Sequence, residues 1–228
     1  MKNKKLLIVG DSNCLPRYNT SSDDIVTVND TYVYHLQKKL KNFDIQTMLV
    51  GGITTGQLLN FSIPYFTEWE PDFTIVHSGI NDTKSQFLKN NNAQLIYRFL
   101  SKFKIDKNRI KEKFIYNKNL INLSSTPKVL IKDLKQDVLK FKSLFKNSKI
   151  LWLEIYSDER IDKHRPDTLK RLNDYNKMLK GIFKENFVEL KDIKKISNFT
   201  SDGFHLNKKG QLLLFEKLNK IILNDDNK

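Results

Sequence analysis

Four short polar sets in this chain hold the residue types that a serine needs to cleave an ester: Gly10-Asp11-Ser12, Gly52-Ile53-Thr54, Gly79-Ile80-Asn81-Asp82 and Asp202-Gly203-Phe204-His205. Such chemistry takes an exposed hydroxyl, an imidazole to accept its proton, a carboxylate to hold that imidazole in the right tautomer, and donors for the developing oxyanion. Ser12 is the candidate nucleophile, and its own backbone N–H is a candidate donor. His205 is the candidate base, with Asp202 three residues earlier as its orienter. Gly52 permits close approach of a second backbone N–H, and the Asn81 amide supplies a third donor. Asp11, Arg17, Thr54, Asp82 and Glu154 lie near these groups in sequence or at a strand end and are candidate substrate contacts.

These sets must be brought together by the elements around them. Short apolar runs at Leu6–Val9, Ile45–Val50, Phe73–His77, Ile150–Ile155 and, more weakly, Phe187–Leu190 read as strands covered on both faces. Helical spacing marks Thr31–Leu40, Val129–Phe145, Pro166–Phe183 and Lys208–Leu223; in the last, Leu214, Leu218 and Ile221 share a face and Asn207 is the expected N-cap. Strand alternating with helix predicts an α/β fold, a three-layer α/β/α sandwich of flavodoxin-like type with about five parallel strands. In such a sheet the ligand site lies outside the carboxyl ends of the strands, and the first three polar sets each follow one.

The 228 residues fit one domain, 1–228, and hydrophobic residues at 39% with 15 Phe and 8 Tyr provide a core. Lys and Arg number 40 against 26 Asp and Glu, a net charge of +14. Because Lys is abundant throughout, the surplus reads first as a solvated surface. The segment 98–118 is its densest part, basic residues interleaved with Phe99, Phe103, Phe114 and Tyr116. The single cysteine, Cys14, excludes an internal disulfide and reads as packing. With no long apolar run and no signal-peptide pattern, a cytoplasmic location without a membrane span is expected. His77 and His35 read as packed or surface residues and His164 as a solvated loop residue. No metal-ligand spacing is present, and neither metal nor cofactor is expected.

In order and interval the four sets, with the run Asp-Gly-Phe-His-Leu-Asn-Lys-Lys-Gly at 202–210, resemble the consensus blocks of the SGNH/GDSL hydrolase superfamily over the whole domain. The resemblance implies Ser12 as nucleophile, Gly52 and Asn81 in the oxyanion hole, and His205 with Asp202 as base and orienter. The Gly-x-Ser-x-Gly elbow of the other large serine-esterase fold is absent. Two departures stand out. Asn13-Cys14-Leu15-Pro16-Arg17 follows Ser12 where family members often carry Leu or Ile, and Pro16 predicts that the first crossover begins as an irregular loop. The stretch 83–128 exceeds what a crossover needs and is expected to form a helical cap whose basic segment, with Arg17, would favour a substrate bearing a carboxylate or phosphate.

Three classes of function follow. Hydrolysis of a short O-acyl group from a carbohydrate or small-molecule ester leads. The same acyl-enzyme could instead pass its acyl group to a surface glycan. A non-catalytic glycan- or nucleic-acid-binding module is the third, and the full set of Ser12, Asn81, Asp202 and His205 counts against it, so nucleic acid is not the expected partner. The oligomeric state does not follow from the sequence.

Overall fold

A computed structural model of the chain describes residues 3–18, 24–84, 127–164 and 167–226. Five strands, β1 (Lys4–Gly10), β2 (Phe43–Leu49), β3 (Phe73–His77), β4 (Lys149–Leu153) and β5 (Phe187–Val188), form one sheet in the order β2-β1-β3-β4-β5. All neighbours are parallel. This is the flavodoxin-like order, and its topological switch point lies between β1 and β3. Gly10 pairs with Leu49 on one side and His77 on the other, so these three strands end level.

The expected strands are all present, with two shortened at their ends by side chains. Ile155 N–H donates to Asn176 Oδ1 and Leu190 N–H to Glu154 Oε2, so each backbone leaves the ladder for a side-chain acceptor.

Seven α-helices are described: α1 (Tyr32–Lys39), α2 (Thr55–Phe66), α3 (Ile80–Thr83), α4 (Ile131–Leu144), α5 (Arg160–His164), α6 (Thr168–Phe183) and α7 (Lys208–Asp226). Alternation along the strands divides the core in two. Leu6 and Ile8 of β1, Ile75 of β3 and Leu151 of β4 pack with Leu36 of α1 and Leu214 and Leu218 of α7. Leu7, Val9, Val76 and Trp152 pack the other way, against Leu58 of α2, Val138 of α4 and Leu179 of α6. The three expected layers result.

Asn207 caps α7 as expected, its Oδ1 accepting the Gly210 N–H at 3.1 Å. On the buried face of that helix Leu214 and Leu218 are joined by Ile222, while Ile221 is only partly covered. Helix α2 was not expected from the spacing, because Gly56 and Pro64 weaken its helical pattern. Its start is fixed by a capping box of Thr54 and Gln57, and buried Leu58 and Leu59 anchor it. His164 ends a short helix, α5, and is not in a loop. The body of the expected cap and all of the 98–118 segment fall at 85–126, outside the described residues. Among the described residues no helix is long and apolar enough to cross a membrane.

Candidate active site

The chain leaves β1 at Gly10 and turns at once. Asp11 N–H donates to the His77 carbonyl at 3.0 Å, and the Asp11 carboxylate accepts from Asn13 N–H at 3.0 Å, closing an Asx turn. Residues Ser12–Cys14 then form one turn of 3-10 helix and no α-helix follows directly, as Pro16 predicts. Ser12 therefore sits on a tight turn at the switch point of the sheet, with its side chain half-buried.

The other half of the pair comes from the loop before α7. An antiparallel bridge of Phe199 with Leu206 closes this loop, and Thr200 N–H donates to the His205 carbonyl at 2.8 Å. Within it Asp202 Oδ1 accepts from Thr200 Oγ1 and from the N–H groups of Phe204 and His205, at 2.8, 3.1 and 3.0 Å. The second oxygen, Oδ2, is left to face the imidazole: His205 Nδ1 lies 2.7 Å from it, and His205 Nε2 lies 2.8 Å from Ser12 Oγ. Hydroxyl, imidazole and carboxylate thus form a continuous chain across 193 residues of sequence.

The electrostatics suit a base that is neutral at rest. Burial works against a charged Asp202, yet the hydrogen bonds and charge of His205 outweigh it and hold the carboxyl well below the usual carboxylate range. Burial also lowers the pKa of His205; Asp202 opposes this, while the positive charges of Arg17 and Lys84 add to it.

Gly52 and Asn81, the expected oxyanion donors, lie after the next two strand ends. Gly52 follows β2 with φ +74°, a left-handed conformation, and is exposed, with open space where a Cβ would stand. Its neighbour Gly51 abuts Ser12, since a Cβ built there would lie 3.9 Å from Ser12 Cβ. Among the described residues neither the Ser12 nor the Gly52 N–H is taken up by an acceptor. Asn81 is buried in α3, just after β3. One N–H of its amide is held by the Ile53 carbonyl at 3.1 Å and its Oδ1 by Lys84 Nζ at 3.1 Å, which fixes the plane of the group and leaves a second N–H.

Comparison of this architecture with solved structures finds strong likeness to ester-cleaving proteins. A psychrotrophic esterase from Pseudoalteromonas sp. matches at a TM-score of 0.60 and 16% identity, over 99% of this chain and 100% of that one. A GDSL-like lipase from Bacteroides thetaiotaomicron matches at 0.61 and 13%, over 98% and 90%. An acetylxylan esterase from Geobacillus stearothermophilus matches at 0.56 and 19%, over 96% and 95%. This chain has the GDSL-hydrolase fold. No family model matches its sequence, and no curated protein does.

Within this GDSL-type fold the structure brings together Ser12, Asp202 and His205, and places Gly52 and Asn81 at adjoining strand ends. The other candidate contacts do support work instead. Asp11 is buried and raised to about 6 by that burial; one oxygen serves Asn13, and Oδ2 has no partner among the described residues. Asp82 is fully buried, raised by burial to about 7, and accepts from both the N–H and the hydroxyl of Thr55 at 3.0 and 2.9 Å. Thr54 is buried with its hydroxyl donating to Gln57. Glu154 is buried against Leu190 N–H and Lys194. In all four the side chain is buried and bonded to neighbouring protein groups, with Asp11 Oδ2 the one exception among these bonds. Arg17 does reach the site, but its partners are Asp202 and His205.

His77 is packed, with Nε2 2.9 Å from Tyr156 Oη and Nδ1 3.3 Å from Tyr32 Oη. His35 is half-buried beside Phe215. Cys14 is buried beside Tyr32 Oη, and burial pushes its thiol well up, so it supplies no thiolate. Lys84, which the motifs do not mark, stands over the Phe204 ring at 3.8 Å as well as on Asn81. Its one sequence signal is its place three residues after Asn81. Among the described residues no cluster of His, Cys, Asp and Glu is placed to hold a metal ion. A cleft between α4 and α6, lined by Leu130, Ile131, Tyr175 and Met178, contains none of the groups above.

Proposed function

We propose that this chain is a serine-dependent ester hydrolase that works through an acyl-enzyme and removes a short O-acyl group from a carbohydrate. The observation that carries the reading is the Ser12–His205–Asp202 chain, at 2.8 and 2.7 Å. Ser12 Oγ attacks the ester carbonyl while His205 Nε2 takes its proton. Asp202 holds Nδ1–H and stabilises the imidazolium that forms. Charge developing on the carbonyl oxygen is met by the N–H groups of Ser12 and Gly52 and by the Asn81 amide; each such donor contributes roughly 10²–10³ in rate. His205 then gives the proton to the leaving alkoxide, and a water attacks the acyl-Ser12 ester with His205 again as base. The acetyl-carbohydrate part draws its support from the likeness to an acetylxylan esterase.

The test is release of acetate from acetylated xylo-oligosaccharide and of nitrophenol from p-nitrophenyl acetate, by the protein beside its Ser12→Ala variant. Activity on both that vanishes in the variant is expected. Activity on the nitrophenyl ester alone removes the carbohydrate part, and equal rates for both proteins on both substrates remove the reading.

A further inference from the structure

Arg17 holds a position that ester hydrolysis alone does not require. Its Nη2 donates to Asp202 Oδ2 at 2.9 Å, the same oxygen that His205 Nδ1 approaches at 2.7 Å, and its Nη1 lies within hydrogen-bond distance of His205 Nδ1 itself. Nδ1 cannot serve both partners. A guanidinium only donates, so a bond from Nη1 needs a bare Nδ1; a bond to Asp202 needs a protonated one. The two bonds therefore belong to the two neutral tautomers of the ring. With the proton on Nδ1, Nε2 is free to take the Ser12 proton. With Arg17 donating to Nδ1, the proton sits on Nε2 and the ring cannot act as base.

We propose that Arg17 gates this site: it competes with Asp202 for His205 and is drawn off by a carboxylate or phosphate carried on the ester substrate. The inference rests on the serine-hydrolase reading for its catalytic consequence, though not for the tautomer competition. Two further observations support an anion as the trigger. Arg17 Nε is buried and has no hydrogen-bond partner among the described residues, so its fork is only partly used there, and a carboxylate or phosphate offers two parallel acceptors. Arg17 and Lys84 both bear on His205, while the nearest acid, Asp202, is already shared. An anionic group is thus attracted to the mouth of the site.

The first measurement is the imidazole ¹⁵N spectrum of His205 in the protein, in Arg17→Gln, and in the protein titrated with inorganic phosphate. A shift of the ring toward the Nδ1–H tautomer is expected in the variant and, independently of any substitution, with phosphate. The second compares p-nitrophenyl acetate with mono-p-nitrophenyl succinate, which adds a carboxylate to the acyl part. The protein should prefer the succinate in kcat/KM by about tenfold or more, and Arg17→Gln should lose that preference while gaining rate on the acetate. A His205 tautomer unmoved by both the variant and phosphate overturns the gate, whatever the kinetics. A tautomer that moves in a protein inactive on every ester would retain the gate and overturn the hydrolase reading.

Discussion

The Gln211 side chain donates from Nε2 to the Asn13 carbonyl at 3.0 Å, tying α7 to the turn that carries Ser12. Its Oε1 accepts the Tyr32 N–H at 3.0 Å, so the start of α1 is tied to the same point. Asn13 is held from its other side by Tyr156, whose hydroxyl donates to Asn13 Oδ1 at 3.3 Å. One buried amide thus joins three elements beneath Ser12, and the turn gains a rigidity that a three-residue 3-10 helix does not have alone.

Gln211→Ala orphans two buried backbone groups, the Tyr32 N–H and the Asn13 carbonyl. Each costs about 1–3 kcal/mol. A melting temperature lowered by several degrees is expected, together with a fall in kcat for p-nitrophenyl acetate and a smaller change in KM. Unchanged kcat in a variant that still melts cooperatively would show that the tie is not felt at Ser12.

The pH dependence of kcat/KM follows from the environment of His205. Burial, with Arg17 and Lys84, lowers its pKa despite Asp202, so the base stays neutral to a lower pH than a free imidazole, whose value is near 6.5. Activity should therefore persist below pH 6.5 and fall only on further acidification. Lys84→Met removes one of the positive charges and should move that acid limb upward. An acid limb above 6.5 in the unaltered protein, or one that Lys84→Met moves downward, contradicts this account.

His77 makes a separate prediction, for stability. It is buried between Tyr32 and Tyr156, and burial depresses its pKa from 6.5 to about 3. Between those values the unfolded chain binds a proton there that the folded chain refuses, so acidification favours unfolding throughout that window. The slope from this one group approaches about 1.4 kcal/mol per pH unit. Denaturant titrations of the protein and of His77→Gln at several pH values between 4 and 7 should show the stability difference shifting in favour of the variant as pH falls. Parallel curves would mean that His77 is protonated equally in both states.

The parts of this site that the sequence displays are those in which backbone position decides function. Ser12, Gly52 and Asn81 each follow a run of apolar residues that only a buried strand explains, and Asp202 and His205 share one turn before a capped helix. The roles of Asp11, Thr54 and Asp82 were not displayed, because a polar residue beside a catalytic one is equally suited to touch the substrate or to brace the turn. Which it does depends on the direction of its side chain, and Asp82 points back to Thr55 at the start of α2. That helix was itself hidden by Gly56 and Pro64, so the need for a cap there had no visible origin. Arg17 was legible as a basic residue near the nucleophile, but its pairing with Asp202 spans 185 residues and depends on how the loop after Ser12 folds back.

Two glycines, one at the proposed oxyanion site and one in the loop that carries Asp202 and His205, should respond differently to substitution. Gly52 and Gly203 both have left-handed backbones, with φ of +74° and +78°. A Cβ at Gly52 meets nothing within 4 Å, whereas at Gly203 it would lie 2.6 Å from Asp158 Oδ1 and 3.1 Å from Arg160 Cβ. Asp158 cannot easily give way: it is buried and paired with Arg160, and its N–H donates to the Gly203 carbonyl at 2.7 Å. Gly52→Ala should carry only the cost of an unfavourable backbone, about 1–2 kcal/mol, with a loss of kcat if the backbone relaxes and turns its N–H away. Gly203→Ala adds a steric collision to the same backbone cost and should be the more destabilising of the two, shifting the 199–206 loop and with it Asp202 and His205. Melting temperatures together with kcat for p-nitrophenyl acetate resolve the two effects. Equal destabilisation by the two substitutions would show that Asp158 moves freely, and that the loop is not held as described.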